Sequence, residues 1–155
     1  MKDYILSLRP KWAQLILDGE KVLEIRKTAP LVLATKDSPL RVWVYEMKNG
    51  GGCGKIVGMF LCPGIESITA KDFCTAIRLI QLSQKSRLSV QELRDYKGTS
   101  QRLFAWQVTE PRRLQAPVEL NTLFPARCLP PQSWAKAPAE PAIEVQYEPV
   151  PLLRL

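Results

Sequence analysis

The stretch YILSLRPKWAQLILDGEKVLEIRK, residues 4–27, carries the signals for three consecutive structural elements. Residues 4–8 are mostly apolar and predict a short strand. Pro10 fits the first position of a helix, where no backbone N–H is required, and apolar residues then recur at helical spacing. Gly19 suits the left-handed position that ends a helix. Apolar and charged residues alternate over residues 22–26, which predicts a second strand that starts almost at once.

Three later stretches are rich in β-branched and aromatic residues, namely 41–47 (RVWVYEM), 55–62 (KIVGMFLC) and 103–109 (LFAWQVT). This composition predicts three further strands. The run NGGG at residues 49–52 predicts a flexible hairpin connection between the first two. Gly58 interrupts the second of them and predicts a bulge where the sheet bends hard, as in a small barrel.

Two helical segments lie between these strands. Residues 70–82 have helical spacing, and Ser89 followed by Glu92 forms a capping-box pattern that opens a helix closed by Gly98. The chain has several short strands, two or three helices and no repeated strand–helix–strand unit. This order predicts one α+β domain with a mostly antiparallel, strongly curved sheet.

The last quarter of the chain is rich in proline. Eight of the 13 prolines follow residue 115, and proline lacks the N–H group that helices and inner strands require. We therefore expect this part of the chain to be extended and to wrap around the body of the domain.

Cysteine and histidine content excludes several classes of enzyme. The chain has no histidine, and Cys53, Cys62, Cys74 and Cys128 are too far apart for metal-ligand spacing. Ser-His-Asp hydrolases, zinc deaminases with a histidine ligand and HExxH proteases all need histidine. We predict no metal site and no cofactor, and expect the cysteines to be buried free thiols.

Charge and hydropathy point to a partner and a compartment. The net charge is +7, and the excess lies in residues 1–115, since residues 116–155 carry three Lys and Arg against four Asp and Glu. A basic body favours a polyanionic partner such as RNA or DNA. No stretch reaches the roughly 18 apolar residues of a membrane span, and the amino terminus lacks a signal-peptide core. We therefore expect a soluble, cytoplasmic protein with no membrane partner.

Three charged residues come directly after the first helix. Glu24 and Arg26 are two apart on a strand and so project from the same face, whereas Lys21 would face the opposite way within that strand. Lys21 can join the pair only if the strand begins after it or carries a bulge. Together the three side chains could bind a phosphate and a base edge, or perform acid–base chemistry. The alternative is a solvated strand with an incidental ion pair.

The same segment resembles the start of the ASCH domain, the activating-signal-cointegrator homology family of the PUA-like superfamily. The family signature is G-x-K-x-x-E-x-R, and Gly19, Lys21, Glu24 and Arg26 match its four fixed positions. The resemblance covers residues 4–134 and is greatest to the small stand-alone members found in bacteria and phages. Further similarity lies at residues 44–46, 55–58, 88–96, 104–106 and 131–134. We therefore expect an ASCH domain over residues 1–134 and a proline-rich C-terminal extension over residues 135–155.

The resemblance implies a PUA-like, small, curved β-barrel with two to three helices at its openings and a cleft that binds RNA or a nucleotide-like ligand. One relative is an amidohydrolase that removes the acetyl group of acetylcytidine with a lysine that matches Lys21 and a threonine in the place of Glu24. Other relatives cleave RNA. This chain has Glu24 where that relative has the threonine, so amidohydrolase chemistry would need the hydroxyl of Ser7 or Thr28 instead.

The ligand-binding residues expected from spacing and resemblance lie on the first helix, on its two flanking strands and on the strand at 41–47. Trp12 is either a core residue or a platform on which a base stacks. Tyr45 and Glu46 are adjacent on a strand, so only one of them can face the cleft. The alternatives are an RNA-processing enzyme with Lys21 and Glu24 as catalytic residues, and a protein-interaction module that uses the proline-rich C-terminus. The full set is Ser7, Arg9, Trp12, Gly19, Lys21, Glu24, Arg26, Tyr45 and Glu46.

Overall fold

The computed structural model describes residues 1–150. The last residues of the expected C-terminal extension, 151–155 with Pro151, lie outside the described residues. Strands and helices alternate irregularly along the chain, which confirms the α+β class. The elements are β1 (Lys2–Leu8), α1 (Pro10–Leu17), β2 (Leu23–Arg26), β3 (Leu40–Glu46), β4 (Lys55–Cys62), β5 (Ile65–Thr69), a 3-10 turn (Asp72–Cys74), α2 (Ala76–Ser86), α3 (Val90–Lys97), β6 (Arg102–Gln107), β7 (Thr109–Val118), α4 (Leu120–Leu123) and β8 (Trp134–Lys136).

The strands pair into a five-stranded sheet in the order β7-β4-β3-β1-β8 and a three-stranded sheet in the order β2-β6-β5. Only the β1–β3 pair is parallel among the described strand pairs; the others are antiparallel, as expected. α1 and β2 lie on the crossover between β1 and β3. The crossover carries the chain from the large sheet to the small one, so residues 19–26 lie where the two sheets meet.

Three groups of buried apolar residues form the core. The first lies between the sheets and joins Leu6, Val44 and Phe60 of the large sheet to Trp106 of the small one and to Ile16 of α1. The second covers the opposite face of the large sheet, and the third packs α2 and α3 against the small sheet. Strand β3 therefore has both faces buried. This explains why its sequence is a continuous apolar run and does not alternate between apolar and polar residues.

Gly58 lies at a point of close contact in β4. The β3–β4 register shifts there, because Val44 pairs with Gly58 and Tyr45 with Ile56, which is the expected bulge. A Cβ atom at Gly58 would lie 2.5 Å from Leu17 Cδ2 and 2.6 Å from a backbone oxygen of β7. The glycine thus allows α1 to lie close against the sheet.

The helical segment expected at residues 70–82 is displaced. The chain forms a 3-10 turn at Asp72–Cys74, becomes extended at Thr75 and only then enters α2 at Ala76–Ser86. Asp72 stabilises this turn, since its Oδ2 accepts a hydrogen bond from Thr69 N at 2.7 Å. Helix α3 has the predicted capping box of Ser89 and Glu92, and it ends at Gly98.

The strand expected at residues 103–109 divides at Val108. β6 pairs with β2 in the small sheet, whereas β7 pairs with β4 in the large one. Val108 N donates to Val22 O at 3.0 Å where the chain passes from one sheet to the other. β7 continues through Pro111 and Pro117 as the edge strand of its sheet, where a missing N–H group is tolerated.

The C-terminal quarter is extended for most of its length and packs against the body. β8 pairs antiparallel with β1, and Leu114 of β7 bridges to Tyr147. Val145 and Tyr147 pack against the second group of core residues. The one-turn helix α4 and strand β8 interrupt the irregular structure expected for this segment. The domain boundary at residue 134 stays a prediction.

Two further expectations concern cysteines and membranes. Cys62 is buried, but Cys53, Cys74 and Cys128 are exposed, so the expectation of buried thiols is wrong for those three, which lie on a hairpin, a turn and a loop. All four are free thiols. None of the helices in the described part of the chain has the length and hydropathy needed to cross a membrane.

Candidate ligand-binding site

A cleft of about 590 Å³ opens beside α1, between the signature segment (residues 19–26) and α3. Its floor comes from β1 and β2, and its walls come from the first turn of α1, from α3 and from the segment that precedes β8. Its lining residues are Ser7, Leu8, Arg9, Trp12, Lys21, Glu24, Ile25, Arg26, Met47, Leu88, Glu92, Asp95, Tyr96 and Gln132.

Lys21 is a buried cation at the corner between α1 and β2. The strand begins at Leu23, so Lys21 lies outside it and turns toward Glu24, as strand geometry requires. Its side chain is 1% exposed. The ammonium donates to the backbone oxygen of Ser86 at 2.5 Å and lies 5.0 Å from the centre of the Trp12 ring. Ser86 is the last residue of α2, so the helix dipole favours the cation there.

Glu24 lies between two cations. Its Oε1 is 3.7 Å from Lys21 Nζ, and its Oε2 is 3.6 Å from a terminal nitrogen of Arg26. Oε1 also accepts a hydrogen bond from Ile25 N at 3.2 Å. Oε2 is buried and has no hydrogen-bond partner among residues 1–150. The carboxylate therefore has one oxygen that accepts no hydrogen bond within the described residues.

Arg26 ties the two sheets together from the floor of the cleft. One terminal nitrogen donates to Ser7 O in β1 at 2.8 Å, and the other donates to Ser133 Oγ at 3.1 Å. Ser7 is held in turn, because its hydroxyl donates to Pro131 O at 2.6 Å. The guanidinium is thus fixed from two sides and lies beside Glu24 on the same strand face, as the residue spacing predicts.

The mouth of the cleft carries an arginine and two aromatic side chains. Arg9 is exposed, and within the described chain its side chain makes no hydrogen bond or ion pair. Trp12 is half-buried, packs against the first group of core residues and also lines the cleft, and its role as a stacking platform stays a prediction. Tyr96 of α3 lines the other wall, with the Lys27 ammonium 5.1 Å from the centre of its ring.

Burial shifts the pKa of two groups in the cleft. Desolvation lowers the pKa of the Lys21 ammonium, Glu24 partly offsets this effect, and Arg26 adds to it. Desolvation also raises the pKa of the Tyr96 hydroxyl. Lys21 is therefore easier to deprotonate than an ordinary lysine, and Tyr96 keeps its hydroxyl proton at neutral pH.

Three residues of the expected set do not line the cleft. Gly19 has φ +80° and ends α1 as the left-handed cap, and its role is to form the corner. Tyr45 is buried in the second group of core residues. Glu46 accepts hydrogen bonds from Gln14 Nε2 at 2.9 Å and from Cys53 N at 3.0 Å. Neither Tyr45 nor Glu46 faces the cleft, since β3 presents both to other parts of the core and to the hairpin loop.

Several groups that shape the cleft were not expected from the sequence. The carbonyl oxygens of Ser86 and Pro131 hold Lys21 and Ser7, and Ser133 holds Arg26. Every residue has a backbone carbonyl, so the sequence does not show which one binds a side chain. Tyr96 and Ser133 fall within the segments at 88–96 and 131–134 that resemble the family, and this resemblance is the signal that could have found them.

A second cavity, of about 660 Å³, lies on the far side of α1 and has Gly19 at its rim. The two arginines on its wall contact other side chains of the protein, and Arg112 Nε is buried without a hydrogen-bond partner among residues 1–150. Arg41 pairs with Asp3 at 2.5 Å, and the Arg112 guanidinium lies 4.7 Å from the centre of the Tyr147 ring. It lacks the charged side chains of the signature segment, and we therefore take the first cleft as the candidate site. No group of three or more Cys, Asp or Glu in residues 1–150 is arranged to hold a metal ion.

Comparison with known proteins bears on the fold of the chain. No family model and no curated protein matches the sequence. Among solved structures, the ASCH protein of Zymomonas mobilis superposes with a TM-score of 0.67 at 24% identity, covering 87% of each chain.

Two single-residue variants of that ASCH protein superpose similarly. One has a TM-score of 0.69 at 24% identity and covers 87% of each chain. The other has a TM-score of 0.63 at 22% identity and covers 88% of this chain and 90% of the other. These values establish the architecture. The chain therefore has the same fold as this ASCH protein, as the resemblance of its sequence predicts.

Proposed function

We propose that the cleft binds RNA or a nucleotide-like ligand. The observation that carries the proposal is the convergence of Lys21, Glu24 and Arg26 at the floor of an open cleft, with the buried Oε2 of Glu24 lacking a hydrogen-bond partner among the described residues. A buried charged acceptor without a donor is costly unless a ligand supplies one. Nucleobases carry such donors, and their flat faces suit an aromatic wall such as Trp12 or Tyr96.

The basic body of the protein supports a polyanionic ligand. The positive charge lies in residues 1–115, which carry 19 Lys and Arg against 11 Asp and Glu, and the exposed Arg9 lines the mouth of the cleft. Each phosphate that the protein neutralises releases counterions, so affinity should fall as salt rises. We expect a linear decrease of the logarithm of affinity with the logarithm of salt concentration.

Titration of short single-stranded RNA at low salt, followed by fluorescence anisotropy, tests the proposal. Arg26→Ala and Glu24→Gln should each weaken binding about tenfold or more, since each removes a charged group from the floor. Arg102→Ala removes an exposed arginine outside the cleft and should leave the affinity within about twofold, the range expected for a surface change. Absence of binding, or equal losses for Arg102→Ala and Arg26→Ala, would refute the proposal.

A second candidate is an RNA-processing enzyme, such as a ribonuclease or a modified-nucleoside amidohydrolase. It is favoured by the lowered pKa of Lys21 beside Glu24, which suits a proton-transfer pair. A covalent route through a hydroxyl has less support, because the Ser7 hydroxyl donates to Pro131 O and Thr28 Oγ1 accepts from Trp134 Nε1. On this reading Glu24→Gln abolishes turnover of RNA or of a modified nucleoside and spares binding. Under the binding proposal, the same change weakens binding.

A further inference from the structure

The orientation of a ligand in the cleft can be inferred from the partners of each charged group. Glu24 Oε2 is an acceptor, is buried and has no hydrogen-bond partner among residues 1–150, in a residue that is 6% exposed. An ionised carboxylate oxygen accepts hydrogen bonds and repels a phosphate. The group that reaches the floor of the cleft must therefore be a hydrogen-bond donor.

The two cations beside Glu24 are already engaged with protein acceptors. Lys21 donates to Ser86 O, and Arg26 donates to Ser7 O and Ser133 Oγ. Both also lie within 4 Å of the Glu24 carboxylate, so they offset its charge and hold it in place. These contacts make Lys21 and Arg26 positioning residues for Glu24 instead of phosphate contacts.

The walls of the cleft differ in charge. Glu92 and Asp95 of α3 line one side, where Glu92 accepts from Ser89 N and Asp95 accepts from Gln91 Nε2, and both carry negative charge. Arg9 lines the opposite side and is exposed, and its side chain makes no hydrogen bond or ion pair within the described residues. A phosphate is thus disfavoured beside Glu24 Oε2, because both are hydrogen-bond acceptors, and beside the carboxylates of α3, whereas Arg9 attracts it to the start of α1.

We propose that the ligand enters with a base edge first, placing a ring N–H or an exocyclic amino group on Glu24 Oε2, and leaves its phosphate at the mouth on Arg9. This inference rests on the proposed function and adds the direction of binding. It predicts that the base and the phosphate are recognised by different residues. The contributions of Glu24 and Arg9 to affinity should then be separable.

The test compares nucleosides with their 5′-monophosphates by calorimetry on the full chain, with all four ribonucleotides as probes. Arg9→Ala should weaken a monophosphate about tenfold and leave the matching nucleoside unchanged. Glu24→Gln should lower the affinity for the nucleoside and for its monophosphate by the same factor. Methylation of the donor, as in 3-methyluridine or in cytidine dimethylated at its amine, should cost the wild type about tenfold and cost Glu24→Gln little. Lys36→Ala serves as a matched surface control.

The outcomes separate the inference from the function on which it rests. If Arg9→Ala weakens nucleoside and monophosphate equally, or if Glu24→Gln strengthens monophosphate binding through loss of repulsion, the inferred orientation is wrong while nucleotide binding stands. Binding of short RNA without binding of any mononucleotide also overturns the orientation alone. Absence of binding by nucleosides, monophosphates and RNA together refutes the proposed function.

Discussion

At the residue scale, Lys21 is held in a buried position by partners from three parts of the chain. The ammonium meets the C-terminal carbonyl of α2, the Glu24 carboxylate and the face of Trp12. Burial of a charge is costly, and these contacts offset the cost. Lys21 therefore links the stability of the domain to the geometry of its cleft.

Replacing Lys21 by methionine should lower the free energy of unfolding by about 3 kcal/mol, because it keeps the length of the side chain but leaves Ser86 O and Glu24 short of a partner. Urea denaturation measures this change. Lys36→Met, at an exposed loop position, is the control and should change the stability by less than about 0.5 kcal/mol. Equal stability of the two variants would show that the buried contacts of Lys21 contribute nothing.

The lowered pKa of Lys21 gives this contribution a pH dependence. In the window between the lowered pKa in the folded state and the ordinary value of 10.5, the unfolded chain binds more protons at this position than the folded one. Stability conferred at Lys21 should therefore rise as pH rises through that window, and fall as pH falls through it.

Urea denaturation of wild type and Lys21→Met at about pH 7 and about pH 10 isolates this effect, since the other titrating groups are common to both chains. The difference in stability between the two proteins should be larger at the higher pH. A difference that stays constant or shrinks would contradict the shift of the pKa.

At the element scale, the contact between α1 and β4 positions the wall of the cleft. A Cβ atom at Gly58 would lie only 2.5 Å from Leu17 of α1. The same helix has Arg9 at its N-terminal cap and Trp12 in its first turn. Helix α1 and the signature segment are continuous in sequence. A change in how closely α1 lies against the sheet should therefore alter the cleft as well as the core.

Gly58→Ala should lower the free energy of unfolding by about 2 kcal/mol, because the new methyl group would overlap Leu17 and a backbone oxygen that cannot move aside. Gly64→Ala is the matched control. Its Cβ would meet the end of the flexible Gln107 side chain at 3.3 Å. Chemical denaturation of both variants compares them, and similar losses would indicate that close contact at Gly58 is unimportant.

At the scale of the whole molecule, the C-terminal quarter completes the core of the large sheet. Val145 and Tyr147 pack on the second group of core residues, and two hydrogen bonds, from Gln115 N to Gln146 O and from Glu148 N to Arg113 O, join this segment to the body. Deletion of the segment would therefore disturb the fold whatever the function of the domain. Surface substitutions within it are the better test of a protein-interaction role.

A chain that ends at residue 137 should be less stable by on the order of 3 kcal/mol, since it uncovers the apolar face that Val145 and Tyr147 cover. Thermal unfolding measures the loss of stability. The control is Glu144→Ala, an exposed substitution in the same segment, which should change the stability only slightly. Ligand affinity per folded molecule should be unaffected, because none of residues 138–150 lines the cleft. An unchanged melting temperature would show that this part of the chain is not structural.

The sequence by itself determined the local elements and the small set of charged residues at the corner. Pro10, Gly19 and the Ser89 capping box set backbone conformation over a few residues, and strand alternation places Glu24 and Arg26 on one face. Such signals act within one or two turns of chain. For this reason they could be recognised without knowledge of the fold.

The tertiary structure decided which distant groups complete the cleft. Ser86 O, Ser133 and Tyr96 reach Lys21, Arg26 and the cleft wall only because two sheets and three helices bring them together. One of Tyr45 and Glu46 was expected to face the cleft and neither does, because alternation gives two opposite faces but does not say what covers each. Sheet membership likewise decided that the strand expected at 103–109 divides at Val108. These features depend on how remote segments pack against each other, and the spacing of residues along the chain does not reveal that packing.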